Sequence, residues 1–128
     1  MYKIKLSESS KTILSEYSEN QKPNESCALL FGKDNIVQEL FLAENIEKSQ
    51  VNFTISNKQL IEGYRMAEEK KMEVIGIFHS HPDSEAYPSN TDKKFMQSNP
   101  VVWVIYSGIN KNFRAYILES DIIEIPIE

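Results

Sequence analysis

Two short stretches leave this chain little freedom. Residues Ser26 to Gly32 are almost wholly apolar, and so are Val74 to Phe78, interrupted only by Gly76. A strand with one face in water alternates apolar and polar residues, whereas one without alternation has to be covered on both faces. Both stretches are expected as buried strands, the second in the middle of a sheet.

Local signals fill in the rest. Tyr2 to Leu6 alternates like a short strand, and Ser7 can cap a helix carrying Ile13, Leu14 and Tyr17 on one side and ending at residues 20–24. Asp34 and Asn35 form a turn into a return strand, Ile36 to Ala43, making a hairpin. Phe53 to Ile55 reads as extended. Ser56 and Gln59 then have capping-box spacing ahead of a helix with Leu60, Ile61, Tyr64 and Ala67 on its inner face, ending in the charged run Glu68 to Lys71. A loop from Pro82 to Pro88 leads to a short helix, Ser89 to Met96, which Pro100 keeps from extending. Val101 to Tyr106, Phe113 to Leu118 and Ile122 to Ile127 finish the chain as strands. Strands that alternate with helices early and gather late predict a mixed α/β fold, a mixed sheet flanked by two or three helices. At 128 residues and 41% hydrophobic content, the chain can bury one core without disulfides, so residues 1–128 are expected as a single domain.

Charge and composition narrow the partners. The net charge is -5 and no Lys/Arg block lies along any predicted face, so nucleic acid is not an expected partner. No apolar run has the length of a signal sequence or a bilayer span, which predicts a soluble protein without a membrane partner. Cys27, the single cysteine, excludes an internal disulfide and fits a reducing, cytoplasmic setting.

The 2 histidines of the chain both fall in His79-Ser80-His81, at the end of the second apolar strand. Residues i and i+2 of a strand project to one side, so two neutral imidazoles can converge on one cation. Asp92, in the first turn of the following helix, can add a carboxylate oxygen. Two nitrogens and one oxygen leave a fourth tetrahedral position for water, the layout of catalytic zinc, although iron or cobalt also suits these donors. Zinc would bring the pKa of a bound water down to about 7. Glu25, just ahead of the first apolar strand, is the candidate acceptor for the remaining proton.

Glu25, His79-Ser80-His81-Pro82, Ser89 and Asp92, taken together at their spacing, resemble the JAMM/MPN-plus (Mov34/JAB1-type) metalloprotease motif. Residues Glu25 to Gly32 look like the family's first-strand segment. Asn45 through Phe53 to Ile55 resembles its connector to the long helix. The resemblance implies a cytidine-deaminase-like/MPN architecture with a curved mixed sheet. It further implies Zn2+ held by His79, His81 and Asp92, Glu25 as general base and Ser89 as oxyanion stabiliser. The implied substrates are ubiquitin-like or sulfur-carrier proteins, cleaved at the C-terminal tail by a monomer or homodimer. Ala28 stands where glycine is expected, outside the metal set. The segments after Asn45 and after Asp92 are short, as in minimal prokaryote-type members.

Each fragment also has a plainer explanation. A histidine pair at a strand end is commonly just hydrogen-bonded, and Ser89 with Asp92 has ordinary capping-box spacing. Cys27 reads as an inert core thiol rather than a ligand or nucleophile. Trp103 reads as core, while Tyr106 and Phe113 are candidates for a substrate groove. Asp83 and Glu85 are loop acids near the ligands. Two other functions remain open: a non-catalytic MPN scaffold module, and a RadC-like DNA-repair-associated protein, which shares a similar histidine and Ser-x-x-Asp pattern.

Overall fold

In the computed structural model, residues 2–128 are described. The elements run α1 (Glu8–Gln21), β1 (Cys27–Lys33), β2 (Ile36–Ala43), α2 (Asn57–Glu69), β3 (Glu73–His81), α3 (Asn90–Ser98), β4 (Val102–Ser107), β5 (Asn112–Leu118) and β6 (Ile122–Ile125). The six strands form one mixed sheet in the order β2-β1-β3-β4-β5-β6. Neighbours pair antiparallel except β3 and β4, whose parallel pairing needs the crossover that α3 provides. Both apolar stretches lie centrally, β1 between β2 and β3, and β3 between β1 and β4.

Period-two geometry divides the strand residues between two cores. Ala28, Leu30, Phe78, Val104 and Ala115 face one side, where Ile4, Leu6 and Leu14 of α1 cover them. Cys27, Leu29, Ile77, Trp103, Ile105 and Tyr116 face the other, covered by Ala67 of α2 and Met96 of α3. Buried cover on both sides is what the apolar runs require. The α2 layer lies so close that a Cβ on Gly63 would stand 2.5 Å from Leu29 Cδ1.

The Tyr2 to Leu6 segment contributes single bridges rather than a full strand. On one side Ile4 N–H donates to Pro126 O (3.1 Å) and Leu6 N–H to Glu128 O (2.9 Å); on the other, Lys5 N–H donates to Asn35 O (2.8 Å). It therefore connects the ends of both edge strands, which curls the sheet around the α1 core and shields two exposed ladders at that end. Among the described residues, no helix is long and apolar enough to cross a membrane.

Three details differ from the sequence reading. Ile13 on α1 and Ile61 and Tyr64 on α2 point outward, being 46%, 69% and 50% exposed; Leu14, Ser18, Gly63 and Ala67 are the inward residues. Ser56 caps α2 by accepting from Gln59 N–H (3.1 Å), but Gln59 Oε1 accepts from Glu44 N–H (3.0 Å) and so ties α2 to the end of β2 instead of completing a capping box. Strand β6 stops at Ile125.

Leu14→Ala should lower the unfolding free energy by about 2–5 kcal/mol, the cost of a cavity at a closed site. Ile13→Ala should cost under about 1 kcal/mol by the same measure. Denaturant titration of both variants checks this; equal losses would contradict the assigned inner face of α1.

Candidate functional site

At the C-terminal end of β3 the strand still alternates, so His79 and His81 project together onto the α2/α3 side of the sheet. Helix α3 starts beside them. Its Ser89 Oγ accepts from Asp92 N–H (3.0 Å) and its Ser89 N–H donates to Asp92 Oδ2 (2.9 Å), a complete capping box that fixes the Asp92 carboxylate. The same Oδ2 stands 3.0 Å from His79 Nε2 and 3.1 Å from His81 Nε2, and the two nitrogens are 3.0 Å apart. All three residues are buried, at 0%, 5% and 3% exposure.

The loop between the ligands is held by three successive carbonyls. Ser107 Oγ–H donates to Ser84 O (2.8 Å), His81 Nδ1–H to Glu85 O (2.8 Å), and the Tyr116 hydroxyl to Ala86 O. Gly108 N–H donates to His81 O (2.8 Å), and a Cβ at Gly108 would lie 2.3 Å from Pro82 O, so this close approach requires glycine. The bond to Glu85 keeps a proton on His81 Nδ1, so that when Nε2 gives up its own proton its lone pair faces His79 and Asp92. Phe53 stacks on the His79 ring with centroids 4.8 Å apart, and Trp103 meets that ring edge-on at 5.8 Å.

Electrostatics shape each group. Burial outweighs the Asp92 bond at His79 and keeps its pKa below the usual value. Burial also acts downward on His81, but the Asp92 carboxylate and the Glu85 carbonyl more than offset it and the net shift is upward. Burial would raise Asp92; hydrogen bonds from both histidines outweigh it and hold the carboxyl well below its usual range. Three such atoms can stand this close only with protons or a cation shared among them. The set satisfies the basic test for a divalent cation: two imidazole nitrogens and one carboxylate, with ligand atoms within 4.8 Å of one another. A tetrahedral zinc with bonds of about 2.0–2.1 Å spaces its ligand atoms about 3.3–3.4 Å apart, so the triangle has only to widen by about 0.3 Å.

Glu25 is 3% exposed, and its Oε1 has no hydrogen-bond partner. Burial, augmented by the negative charges of Asp92 and Glu47, pushes its pKa up to about 8 against a downward pull from His81. It shares a cleft of about 260 Å3 with His81, Ser89, Gln50, Val51, Asp83 and Ser84. A larger depression of about 600 Å3, between the end of α2 and the start of β3, holds no ligand cluster.

Glu25, His81 and Ser89 thus line one cleft, and His79 and Asp92 lie behind it, 3.0 and 3.1 Å from His81 Nε2. Asp83 lines it as well, whereas Glu85 contributes its backbone carbonyl and not its exposed carboxylate. Cys27 pairs with His79 across the β1–β3 ladder, fully buried, and burial pushes its thiol up to about 12, which makes it inert. Tyr106 and Phe113 lie away from the histidine cleft: their rings meet at a tilt of 50° on the α1 side, where Tyr106 lines a separate depression of about 460 Å3 and its hydroxyl donates to Glu19 Oε2 (2.9 Å). Sequence reasoning did not find the roles of Phe53, Asn45 or Ser80. Asn45 is 7% exposed and makes four hydrogen bonds within the connector and to Glu25 O.

Comparison with known proteins agrees with this geometry. The family model described as prokaryotic homologs of the JAB domain matches residues 7–118. A desampylase from Pyrococcus furiosus is 34% identical over 96 residues, covering 75% of this chain and 68% of that protein. A CysO-cysteine peptidase from Mycobacterium tuberculosis is 25% identical over 117 residues, covering 87% and 80%. The crystal structure of a JAB1/MPN domain protein from Archaeoglobus fulgidus superposes with a TM-score of 0.67 at 20% identity, covering 100% of both chains, and so shares the fold. A curved mixed sheet, a buried His-His-Asp set and a family match over most of the sequence converge on one assignment: the chain belongs to the prokaryotic homologues of the JAB domain.

Proposed function

We propose that the protein is a zinc-dependent JAMM-type isopeptidase or peptidase that cleaves the C-terminal tail linkage of a ubiquitin-like or sulfur-carrier protein, with residues 1–128 acting as one metallopeptidase domain. The observation that carries this reading is the buried His79–His81–Asp92 triangle, whose His81 shares a cleft with Glu25 and its unpartnered carboxylate oxygen. The desampylase and the CysO-cysteine peptidase support the substrate class.

In this reading His79 Nε2, His81 Nε2 and Asp92 Oδ2 hold the metal. Zinc in such a set lowers the pKa of water and polarises a carbonyl. Glu25 accepts a proton from the attacking water and passes it to the departing amine as the C–N bond breaks. A buried carboxyl whose Oε1 has no hydrogen-bond partner is free to take part in both transfers. Ser89 Oγ accepts from Asp92 N–H, which leaves its O–H free to donate to the oxyanion that develops on the carbonyl oxygen. The substrate tail lies extended along the cleft, between the Gln50–Val51 wall and the Asp83–Ser84 loop.

Two experiments test these roles. Elemental analysis of protein purified without chelators should find zinc near one per chain, falling sharply in Asp92→Ala; a wild type that neither holds nor takes up metal would leave only the scaffold reading. Glu25→Gln should keep zinc while kcat on a ubiquitin-like protein carrying a C-terminal aminocoumarin amide falls by about 10²–10⁴. Retained turnover would remove Glu25 as the base.

The same variant has a pH signature in metal-stripped protein. The Glu25 pKa is raised on folding from 4.5 to about 8, so the stability tied to its neutral form is complete below 4.5 and is lost as pH rises through 8. Glu25→Gln should therefore be the more stable protein at neutral pH, with a lead in denaturant midpoint that grows from pH 5 to pH 8. A constant difference across that window would contradict the buried, raised carboxyl.

A further inference from the structure

Glu25 lies two residues before the start of β1, just past the last backbone bond to β3, in which Ser80 N–H donates to Ser26 O (3.0 Å). Beyond that bond, side chains take over. The carbonyl of the Glu25–Ser26 peptide accepts from Asn45 Nδ2–H (3.0 Å), and the N–H of the same peptide donates to Ser80 Oγ (2.8 Å). The N–H of Glu25 itself donates to Ser49 O (2.8 Å). Both clamping side chains are buried, Ser80 at 1% exposure.

Each clamp reaches the peptide from a different part of the site. Ser80 lies between His79 and His81 on β3, with its side chain on the opposite face, so it refers the Glu25 peptide directly to the strand that carries two ligands. Asn45 belongs to the connector that forms the cleft wall. Its Nδ2 also donates to Asn52 O (3.0 Å), and its Oδ1 accepts from Glu47 N–H and Thr54 N–H (both 3.1 Å). A side-chain amide can satisfy both carbonyls and both N–H groups; a carboxylate of the same shape loses the two donors.

We propose that Asn45 and Ser80 are positioning residues that grip the two ends of the Glu25–Ser26 peptide and so set where the Glu25 carboxylate stands relative to the three ligand atoms. This rests on the hydrolase reading above. Misplacing a reacting group by about 1 Å can cost 10²-fold in rate, so loosening either grip acts on the chemical step while substrate binding and metal holding persist.

The test uses the zinc-loaded full chain, the aminocoumarin amide of a ubiquitin-like protein, and amide exchange at Ser26 followed by NMR. The wild type should show a protected Ser26 amide. Ser80→Ala should speed that exchange at least about tenfold and lower kcat about tenfold to hundredfold, with KM and zinc content within about twofold of wild type. Asn45→Asp should give the same kcat loss, and Ser80→Thr, which keeps the acceptor, should restore both readouts. Ser18→Ala is the control for loss of a buried hydroxyl: Ser18 Oγ bonds Ser26 Oγ (2.8 Å), which in turn bonds Ser80 Oγ (2.9 Å), but Ser18 makes no bond to the N–H or C=O of the clamped peptide, so turnover should stay within about twofold. The proposal is overturned by an unprotected Ser26 amide in the wild type, by wild-type kcat in Ser80→Ala or Asn45→Asp, or by an equal loss in Ser18→Ala. A zinc-loaded wild type without turnover overturns the hydrolase reading instead, and exchange at Ser26 then decides alone whether the clamp exists.

Discussion

Two imidazole nitrogens and a carboxylate oxygen held 3.0–3.1 Å apart in a buried pocket are an arrangement that no local preference favours. Left to themselves the three atoms would separate or take up a proton. The surrounding structure has to hold them, and much of it is arranged to do so. Strand β3 gives the histidines a common direction, the capping box aims Asp92, and the row of accepting carbonyls from Ser84 to Ala86 prevents the intervening loop from relaxing. Rigid supports of this kind are what a metal site needs if its ligands are to stand ready before the cation arrives.

Ser89 and Asp92 show that a structural and a functional explanation of one motif can both hold. The capping box forms as the spacing predicts, yet the Oδ2 that accepts from the Ser89 N–H is the atom that faces both histidines. Capping orients the carboxylate while leaving a lone pair for the cluster. A helix that needed an N-cap thus carries the third member of the cluster.

How much of this the sequence discloses depends on the kind of constraint. Apolar runs and i, i+2 spacing are direct consequences of strand geometry, so both central strands, the hairpin and the gathering of His79, His81 and Asp92 were legible. Strand parity would also have placed Tyr106: it is three residues from Trp103 and must face the opposite side, with Phe113 as its ladder partner. Helix faces were harder. Leu60 and Ile61 are adjacent and equally apolar, and only the position of the sheet decides that Ile61 turns to solvent. Asn45 and Ser80 left no signal because their partners are peptide groups, which look the same at every position.

The two halves of the cleft obey opposite electrostatic demands. Asp92 must stay ionised in the interior, and two imidazoles hold it so. Glu25 is a carboxyl only a short way off, left without a partner for Oε1, and burial raises it instead. Moving either group changes its ionisation: a partner for Glu25 would lower its pKa, and removing the histidines would let burial raise that of Asp92. Different surroundings therefore keep the ionisation of the two carboxyls apart, and the peptide that follows Glu25 is held from β3 on one side and from the connector on the other. The curl of the sheet, the cap of α3 and the Asn45 network then have one common effect, to keep two carboxyl groups beside the histidine pair without letting them become equivalent.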